Sequence, residues 1–480
     1  MLIIKRKEVL TVADTIAAIS TAPGEGGIGI VRVSGPQSEA VMRRLMSVCP
    51  EEIEPRHAYF GRVVRDSSDP DAEVIDEAVF IYMQAPASYT GEDMLEIQGH
   101  GSNVSLKAVL SAVLSSGVEN IRMAEPGEFT KLAFLNGKMD LSQAEAVIDI
   151  IKAKTDLSLG IAEGQRAGRL GDTIRDIRAT LLDVLAEMAV DIDYPDEDYG
   201  DDPEMYRNII NDLRWVLSDI EDLLDTAPIG RIARDGVRAV IVGKPNAGKS
   251  SLMNAILGEG RVIVTDVPGT TRDTVEESAS LSGVPIVLID TAGLRESDDK
   301  VEKIGIERTE RAIAGADMLI LVLDGSRDLD EEDENVLKFI ENMSTDHMLV
   351  VINKEDLGKS VTEEAVRAKL PGARIISTSL IGKGAVEAAS KISEEIGEMF
   401  DLGNINVHES NIITNERHVH LLRKAAADID EAISMLQNGE PVEVAELSAH
   451  YAYESLGMII GEEAGEEILD TVFSKFCLGK

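Results

Sequence analysis

The octapeptide GKPNAGKS, Gly243 to Ser250, lies between the apolar run RAVIV and a stretch with helical periodicity. Its spacing, Gly-x-x-x-x-Gly-Lys-Ser, suits a loop whose backbone N–H groups wrap an anion. The following helix adds the positive potential of its N-terminus. Lys249 is expected to reach the β- and γ-phosphates of a nucleotide, and the Ser250 hydroxyl to bind Mg²⁺. Asn246, Ala247, Gly248 and Ser251 complete the cradle. A chance glycine turn has the spacing but lacks the strand before it and the helix after it. The neighbouring sequence agrees. RAVIVG, IVLID, MLILVLD and HMLVVINK are continuous apolar runs, as expected of parallel strands covered on both faces.

Further motifs follow in the order a guanine-nucleotide domain requires. TDVPGTTRD stands where the first switch belongs, supplying Thr265, Asp266, Val267, Pro268, Gly269, Thr270 and Thr271, with Thr271 as a second Mg²⁺ ligand. DTAG ends the IVLID strand. Asp290 can hold the Mg²⁺ shell and the Gly293 N–H can meet the γ-phosphate, with Thr291 and Ala292 between them. In NKED, Asn353 and Lys354 precede Asp356, whose carboxylate can accept from the ring N–H and exocyclic amine of guanine. Adenine offers neither donor, so a site built on this pairing selects GTP over ATP. Thr378, Ser379 and Leu380 occupy the place of a second guanine-side loop. The residue after DTAG is Leu294, which cannot orient water as a glutamine would there. Arg272 and Arg295 lie near the motifs but read as structural.

On either side the pattern changes. Residues 14–136 mix short branched runs, IGIVRVSG and DEAVFIYM, with glycine-rich turns, an α+β signature. Ile174, Ile177, Leu181, Leu185 and Met188 recur at helical spacing, as do Ile209, Leu213, Val216, Leu217, Ile220 and Leu224. The acidic stretch Asp191–Glu204 between them reads as a solvated loop. Amphipathic helices return at Val419–Leu436 and Val442–Ile460. The expected boundaries are 1–136 for the N-terminal domain, 137–235 and 397–480 for two packed halves of a helical domain, and 236–396 for an inserted α/β domain. A net charge of −40 argues against a broad nucleic-acid-binding face, so RNA contact requires a local basic patch or a partner. Two distant cysteines imply no disulfide framework, and no apolar stretch reaches membrane-spanning length. A cytoplasmic protein without membrane contact is expected.

PNAGKSSLMN, TDVPGTTRD and DTAGLRESDDKVEKIGIER together resemble the tRNA-modification GTPases of the MnmE/TrmE family. The resemblance extends over nearly the whole chain after residue 13. It includes DTIAAISTAPGEGGIGIVRVSG, ASYTGEDMLEIQGHG, PGEFTKLAFLNGKMDLSQAEAV and the ending FSKFCLGK. It implies that a K⁺ ion takes the place of an arginine finger, bound by the Asn246 side chain with Thr265, Val267 and Thr270. Glu302 becomes the water-orienting carboxylate, although alone it reads as a solvent-facing helix residue. The fold implied is an α+β N-terminal folate-binding-like domain and an all-α helical domain interrupted by an α/β P-loop GTPase domain.

The same resemblance implies a homodimer and a tetrahydrofolate one-carbon derivative, 5-formyl- or methylene-tetrahydrofolate, at Arg32, Glu96, Lys138 and Lys480. By charge complementarity, Glu96 suits the pterin N–H donors, and Arg32 with the lysines suits the folate carboxylates. Cys477, between Lys475 and Lys480, is either a nucleophile activated by nearby cations or a small buried residue beside Phe473 and Phe476. Leu132 and Glu25 stand where the family usually or frequently has arginine, which removes positive charge from the folate or RNA surface. The implied activity joins the GTPase to a FAD-dependent MnmG/GidA-type partner in a heterotetramer. Together they would place an aminomethyl-type (carboxymethylaminomethyl) group on carbon 5 of the tRNA wobble uridine. The alternative is a ribosome-assembly GTPase of the Era or Der type. It lacks support from a second G domain or a KH-type GXXG loop.

Overall fold

The structure is a computed structural model describing residues 14–193, 203–260, 276–290, 315–341, 347–400 and 411–480. The chain divides into two compact units. One holds Met1–Ile148, Arg166–Leu182 and His450–Lys480, and the other Asp149–Gln165 and Asp183–Ala449.

The first unit opens with β1 (Thr15–Ile19), β2 (Gly26–Ser34), α1 (Ser38–Leu45), β3 (Ala58–Val64), β4 (Val74–Met83), β5 (Met94–Gly101), α2 (Asn103–Leu114), β6 (Ile121–Met123) and α3 (Glu128–Leu135). The six strands form one sheet in the order β3-β4-β5-β2-β1-β6, antiparallel except for β1 with β6. Strand periodicity sorts its side chains. Val31 and Val33 face a core with Val41, Leu45, Phe80, Ile97 and Val109. Arg32, between them, takes the opposite face, where Ile16, Ala18 and Phe129 pack. α4 (Leu141–Lys152) meets the chain's last helix through Leu141, Ala144, Leu469, Val472 and Phe473.

The second unit carries α5 (Asp156–Arg166, ending in the first unit), the later part of α6 (Arg169–Asp193), α7 (Pro203–Asp225) and α8 (Ala227–Asp235). An alternating series follows: β7 (Val237–Val242), α9 (Lys249–Gly260), β8 (Glu276–Leu281), β9 (Val284–Asp290), β10 (Met318–Asp324), α10 (Glu331–Glu341), β11 (Met348–Asn353), α11 (Glu363–Arg367), β12 (Arg374–Ser377) and α12 (Lys383–Phe400). The sheet order is β12-β11-β10-β7-β9-β8, parallel except for the edge pair β8 and β9. Ile320 and Val322 enter one core while Leu319, Leu321 and Leu323 enter the other. Helices on both faces therefore explain the unbroken apolar runs.

The chain ends with α13 (Glu416–Gln437), α14 (Val442–Ile460) and α15 (Glu466–Phe473). α13 packs on α7. The segment returning from the α/β series is fastened beside the one that leads into it. Ile413 N–H donates to Thr226 Oγ1 at 3.0 Å. The buried Gln165 amide donates to Ile412 O at 2.8 Å and Thr414 Oγ1 at 3.1 Å. Among the described residues no helix is long and apolar enough to cross a membrane.

Gly230 makes this juxtaposition possible, since a Cβ there would stand 2.0 Å from Ile413 O. Gly to Ala within a helix normally adds up to about 1 kcal/mol of stability. Here overpacking dominates, at about 1–3 kcal/mol. Gly230→Ala should therefore lower the melting temperature by roughly 3–10 °C. A rise in a thermal melt would contradict this packing.

Candidate functional site

The carboxyl ends of β7, β9 and β11 place three motifs at one edge of the parallel sheet, the usual location for a ligand in such folds. After β7 the loop passes through Asn246 at φ 63° and Gly248 at φ 113°, then enters α9 at Lys249. Gly248 is required twice over, by its φ and because a Cβ would stand 2.1 Å from Asn353 Nδ2. Lys249 is buried, and its Nζ donates to the carbonyls of Gly243 at 2.9 Å and Lys244 at 2.8 Å. Ser250 and Ser251 are exposed on the first turn of α9. Asp290 ends β9 in register with Ile241 of β7, one residue before the final residue of β7.

Asn353 joins the motifs. It is 4% exposed, donates from Nδ2 to Ala247 O at 2.8 Å, and accepts at Oδ1 from the Leu380 N–H at 3.1 Å. One amide thus fastens the phosphate loop to the Thr378–Leu380 loop. Lys354, at φ 67°, donates to Asp324 Oδ2 at 2.7 Å. Burial raises the Asp324 pKa, but the bonds from Lys354 and Ser326 outweigh it and hold the carboxyl below its usual range. Asp356 is exposed and accepts from Ser379 Oγ at 2.6 Å, so the second loop orients the first loop's carboxylate.

Three residues here have no motif to announce them. Lys244 fills a variable place in the octapeptide, yet its Nζ bonds both Asp330 oxygens at 2.6 Å and lies 2.8 Å from Glu332. The bond to Asp330 heads the interactions that raise the Lys244 pKa, and the same bond holds the Asp330 carboxyl far below its usual range. Asp324 is the third, and only its place at the end of an apolar strand hinted at it. Thr265, Asp266, Val267, Pro268, Gly269, Thr270, Thr271, Thr291, Ala292, Gly293, Leu294 and Glu302, with the side chain of Asp290, lie outside the described residues.

A second group of candidates meets in the first unit. Arg32 and Glu96 are register partners across β2 and β5. The guanidinium donates to Glu96 Oε1 through Nε at 3.2 Å and Nη2 at 2.9 Å, while Gln98 donates to Oε2 at 3.1 Å. Arg32 also lies 5.5 Å from the Tyr89 ring centre and 5.7 Å from that of Phe129. Lys480 is half-buried, and burial followed by repulsion from Arg32 lowers its pKa against the opposing pull of Cys477 and Glu96. The terminal segment is held by Ser20 Oγ donating to Gly479 O at 3.0 Å. Gly479 has φ 87°, and a Cβ would meet Ile19 O at 2.2 Å. Lys138 is placed differently: its Nζ donates to Pro86 O at 3.0 Å, and among the described contacts none joins it to Arg32, Glu96 or Lys480. Cys477 is exposed while Phe473 and Phe476 are buried, which removes the packing alternative for the thiol. Arg32 and Glu96, which suit separate groups of the ligand, lie side by side and pair with each other.

Asn353→Ala would strip the partners from two buried backbone groups, at about 1–3 kcal/mol each. The variant should melt earlier and bind GTP about tenfold or more weaker by calorimetric titration. Unchanged affinity would show that the staple does not shape the nucleotide loops.

Residues 141–477 match the family described as "MnmE helical domain", and residues 15–138 match "GTP-binding protein TrmE N-terminus". The "tRNA modification GTPase MnmE" of Clostridioides difficile (strain 630) is 42% identical over 471 residues, covering 97% of this chain and 99% of that protein. The protein of the same name from Geobacillus kaustophilus (strain HTA426) is 43% identical, covering 98% of this chain and all of its own length. That of Bacillus subtilis (strain 168) is 41% identical, covering 97% of this chain and all of its own length. Matched from the first sheet to the terminal helix, the chain belongs to the MnmE family of tRNA modification GTPases.

Proposed function

We propose that this chain hydrolyses GTP in the service of tRNA wobble-uridine modification in the cytoplasm. It would act as a homodimer in a heterotetramer with a FAD-dependent MnmG/GidA-type protein. The product is an aminomethyl-type (carboxymethylaminomethyl) group at carbon 5 of the uridine, built with a tetrahydrofolate one-carbon unit. The observation that carries the GTP part is the buried Asn353 amide bonded to both Ala247 and Leu380. It fixes the distance between a phosphate cradle and a loop that orients Asp356.

Chemistry assigns the roles. Asp356, steadied by Ser379, faces the two N–H donors of guanine. Lys249 exchanges the carbonyls of Gly243 and Lys244 for phosphate oxygens, a gain because those oxygens carry full charge. The exposed Ser250 hydroxyl and the Asp290 position on the adjoining strand supply hard oxygen donors suited to Mg²⁺, with Thr271 as its further ligand. Asn246, exposed at the outer bend, offers a neutral amide oxygen suited to K⁺, with Thr265, Val267 and Thr270 completing that site. A monovalent cation held there would supply positive charge where negative charge develops in hydrolysis. Glu302 takes the water-orienting role that Leu294 cannot.

For the folate, Arg32 and Lys480 are two cations around one carboxylate, Glu96. A ligand carboxylate would offset the burial and the Arg32 repulsion that lower the Lys480 pKa, and Tyr89 and Phe129 offer flat apolar surfaces beside Arg32. Lys138, just past α3 and held by Pro86 O, would join them as a further cation. The exposed Cys477 thiol is available for the modification chemistry.

Replacing K⁺ by Na⁺ in a steady-state assay should lower GTP turnover by about 100-fold. Equal rates in both salts would sink the K⁺ site. Deleting the protein in its host should leave wobble uridines without the carbon-5 group in mass analysis of tRNA. An unaltered nucleoside profile would overturn the tRNA role.

A further inference from the structure

The chain contains one tryptophan, Trp215, and it is 68% exposed on α7. Leaving such a ring in water forgoes a large burial gain, and its surroundings are unlike those of an apolar docking face. At about 100° per residue along α7, Arg207, Asn211, Arg214 and Ser218 fall on one flank of Trp215. All four are exposed. Asp212 and Asp219 fall on the other flank, and the exposed Glu221 lies two turns beyond Arg214 on its own flank.

The neighbouring helix carries further exposed cations at a similar level. Thr226, just past the end of α7, bonds Ile413, just before the start of α13. The two helices pack together, so they run antiparallel. Trp215 lies roughly 15 Å from the C-terminal end of α7, and Arg423 and Lys424 lie roughly 11 Å from the N-terminal end of α13. All three are exposed and stand within about one helical turn of the same level. His420 is exposed one turn away.

These cations are uncommitted in a chain of 87 acidic and 47 basic residues. Elsewhere in the same unit Arg231 is paired with Asp317, Arg234 with Asp149, Arg327 with Asp333 and Arg374 with Glu395. Among the described residues no salt bridge engages Arg214, Arg423 or Lys424, and Lys424 lies within electrostatic reach of Asp428. An exposed aromatic ring beside unpaired guanidinium and ammonium groups matches an unstacked nucleobase with its phosphates.

We infer that Trp215, with Arg214, Arg423 and Lys424, forms an RNA-docking surface. The ring stacks on an unpaired base of the tRNA, and the three cations hold the adjoining phosphates. This rests on the tRNA role proposed above and locates the contact on the α7–α13 pair. Its unpaired cations would supply the local positive charge that RNA contact requires of a chain of charge −40.

The single tryptophan makes the surface self-reporting. Titrating the full chain with an unmodified tRNA transcript should quench its tryptophan emission in parallel with binding measured by filter retention. Trp215→Ala should weaken tRNA binding about 5- to 100-fold, and Trp215→Phe should retain most of it. Joint replacement Arg214→Glu and Arg423→Glu should reduce the slope of log affinity against log salt by roughly 1–2. GTP turnover and melting temperature should stay at wild-type values, since these side chains lie outside both the core and the nucleotide loops. Wild-type tRNA affinity in Trp215→Ala, with no quenching in the parent, would overturn this surface and leave the tRNA role intact. Loss of flavoprotein association without loss of tRNA binding would overturn it in favour of a protein interface. Absence of tRNA binding by the parent chain in every nucleotide state would overturn the role on which the surface rests.

Discussion

The Asn353 amide is the hinge pin of the nucleotide-binding edge. Its donor is spent on the Ala247 carbonyl and its acceptor on the Leu380 N–H, inside a region with almost no access to water. Buried polar groups demand partners, so the phosphate loop and the guanine-side loop cannot shift independently without orphaning one of them. Gly248 makes the approach possible by having no side chain where the amide nitrogen lies. The β-sheet fixes the strands from which these loops spring, and the amide fixes the loops to each other. The nucleotide selectivity proposed for Asp356 and the phosphate contact proposed for Lys249 therefore depend on one shared geometry.

In the first unit the organising contact is electrostatic. Arg32 sits mid-strand on the sheet face opposite the main core, with Glu96 across from it and aromatic rings beside it. Such a pair has little stabilising value if it merely meets water. Its worth is in holding a guanidinium in a fixed place. The terminal segment then brings Lys480 close enough to be repelled by Arg32. That arrangement survives because Ser20 and Gly479 anchor the backbone and the aromatic cluster Phe134, Phe473 and Phe476 supports the approach.

Much of this was legible in the sequence. The unbroken runs at Met318–Asp324 and Met348–Asn353 announced buried parallel strands, because only helices on both faces let five or six consecutive positions go dry. The helical periods around Ile174 and Ile209 announced α6 and α7. Pairings between distant residues were not legible. Arg32 and Glu96 are 64 positions apart, and only the β2–β5 register makes them neighbours. Ser20 and Gly479 are 459 apart. Cys477 misled in one of its two alternatives, since its apolar neighbours suggested burial. The chain turns after α15, so Phe476 goes inward and the thiol outward. Lys244 was invisible because a motif's variable position carries no stated requirement, although the acidic residues near 330 gave it partners.

The fastening of Ile412–Thr414 against Thr226 and Gly230 has a mechanical meaning. A domain hung from one covalent thread can swivel about it, and whatever happens inside it is lost as rotation. Here the outgoing and returning threads are clamped side by side through hydrogen bonds and a close backbone approach. A doubled tether resists torsion while permitting bending. A rearrangement within the α/β series would therefore reach α7 and α13 as bending about this clamp rather than as free rotation.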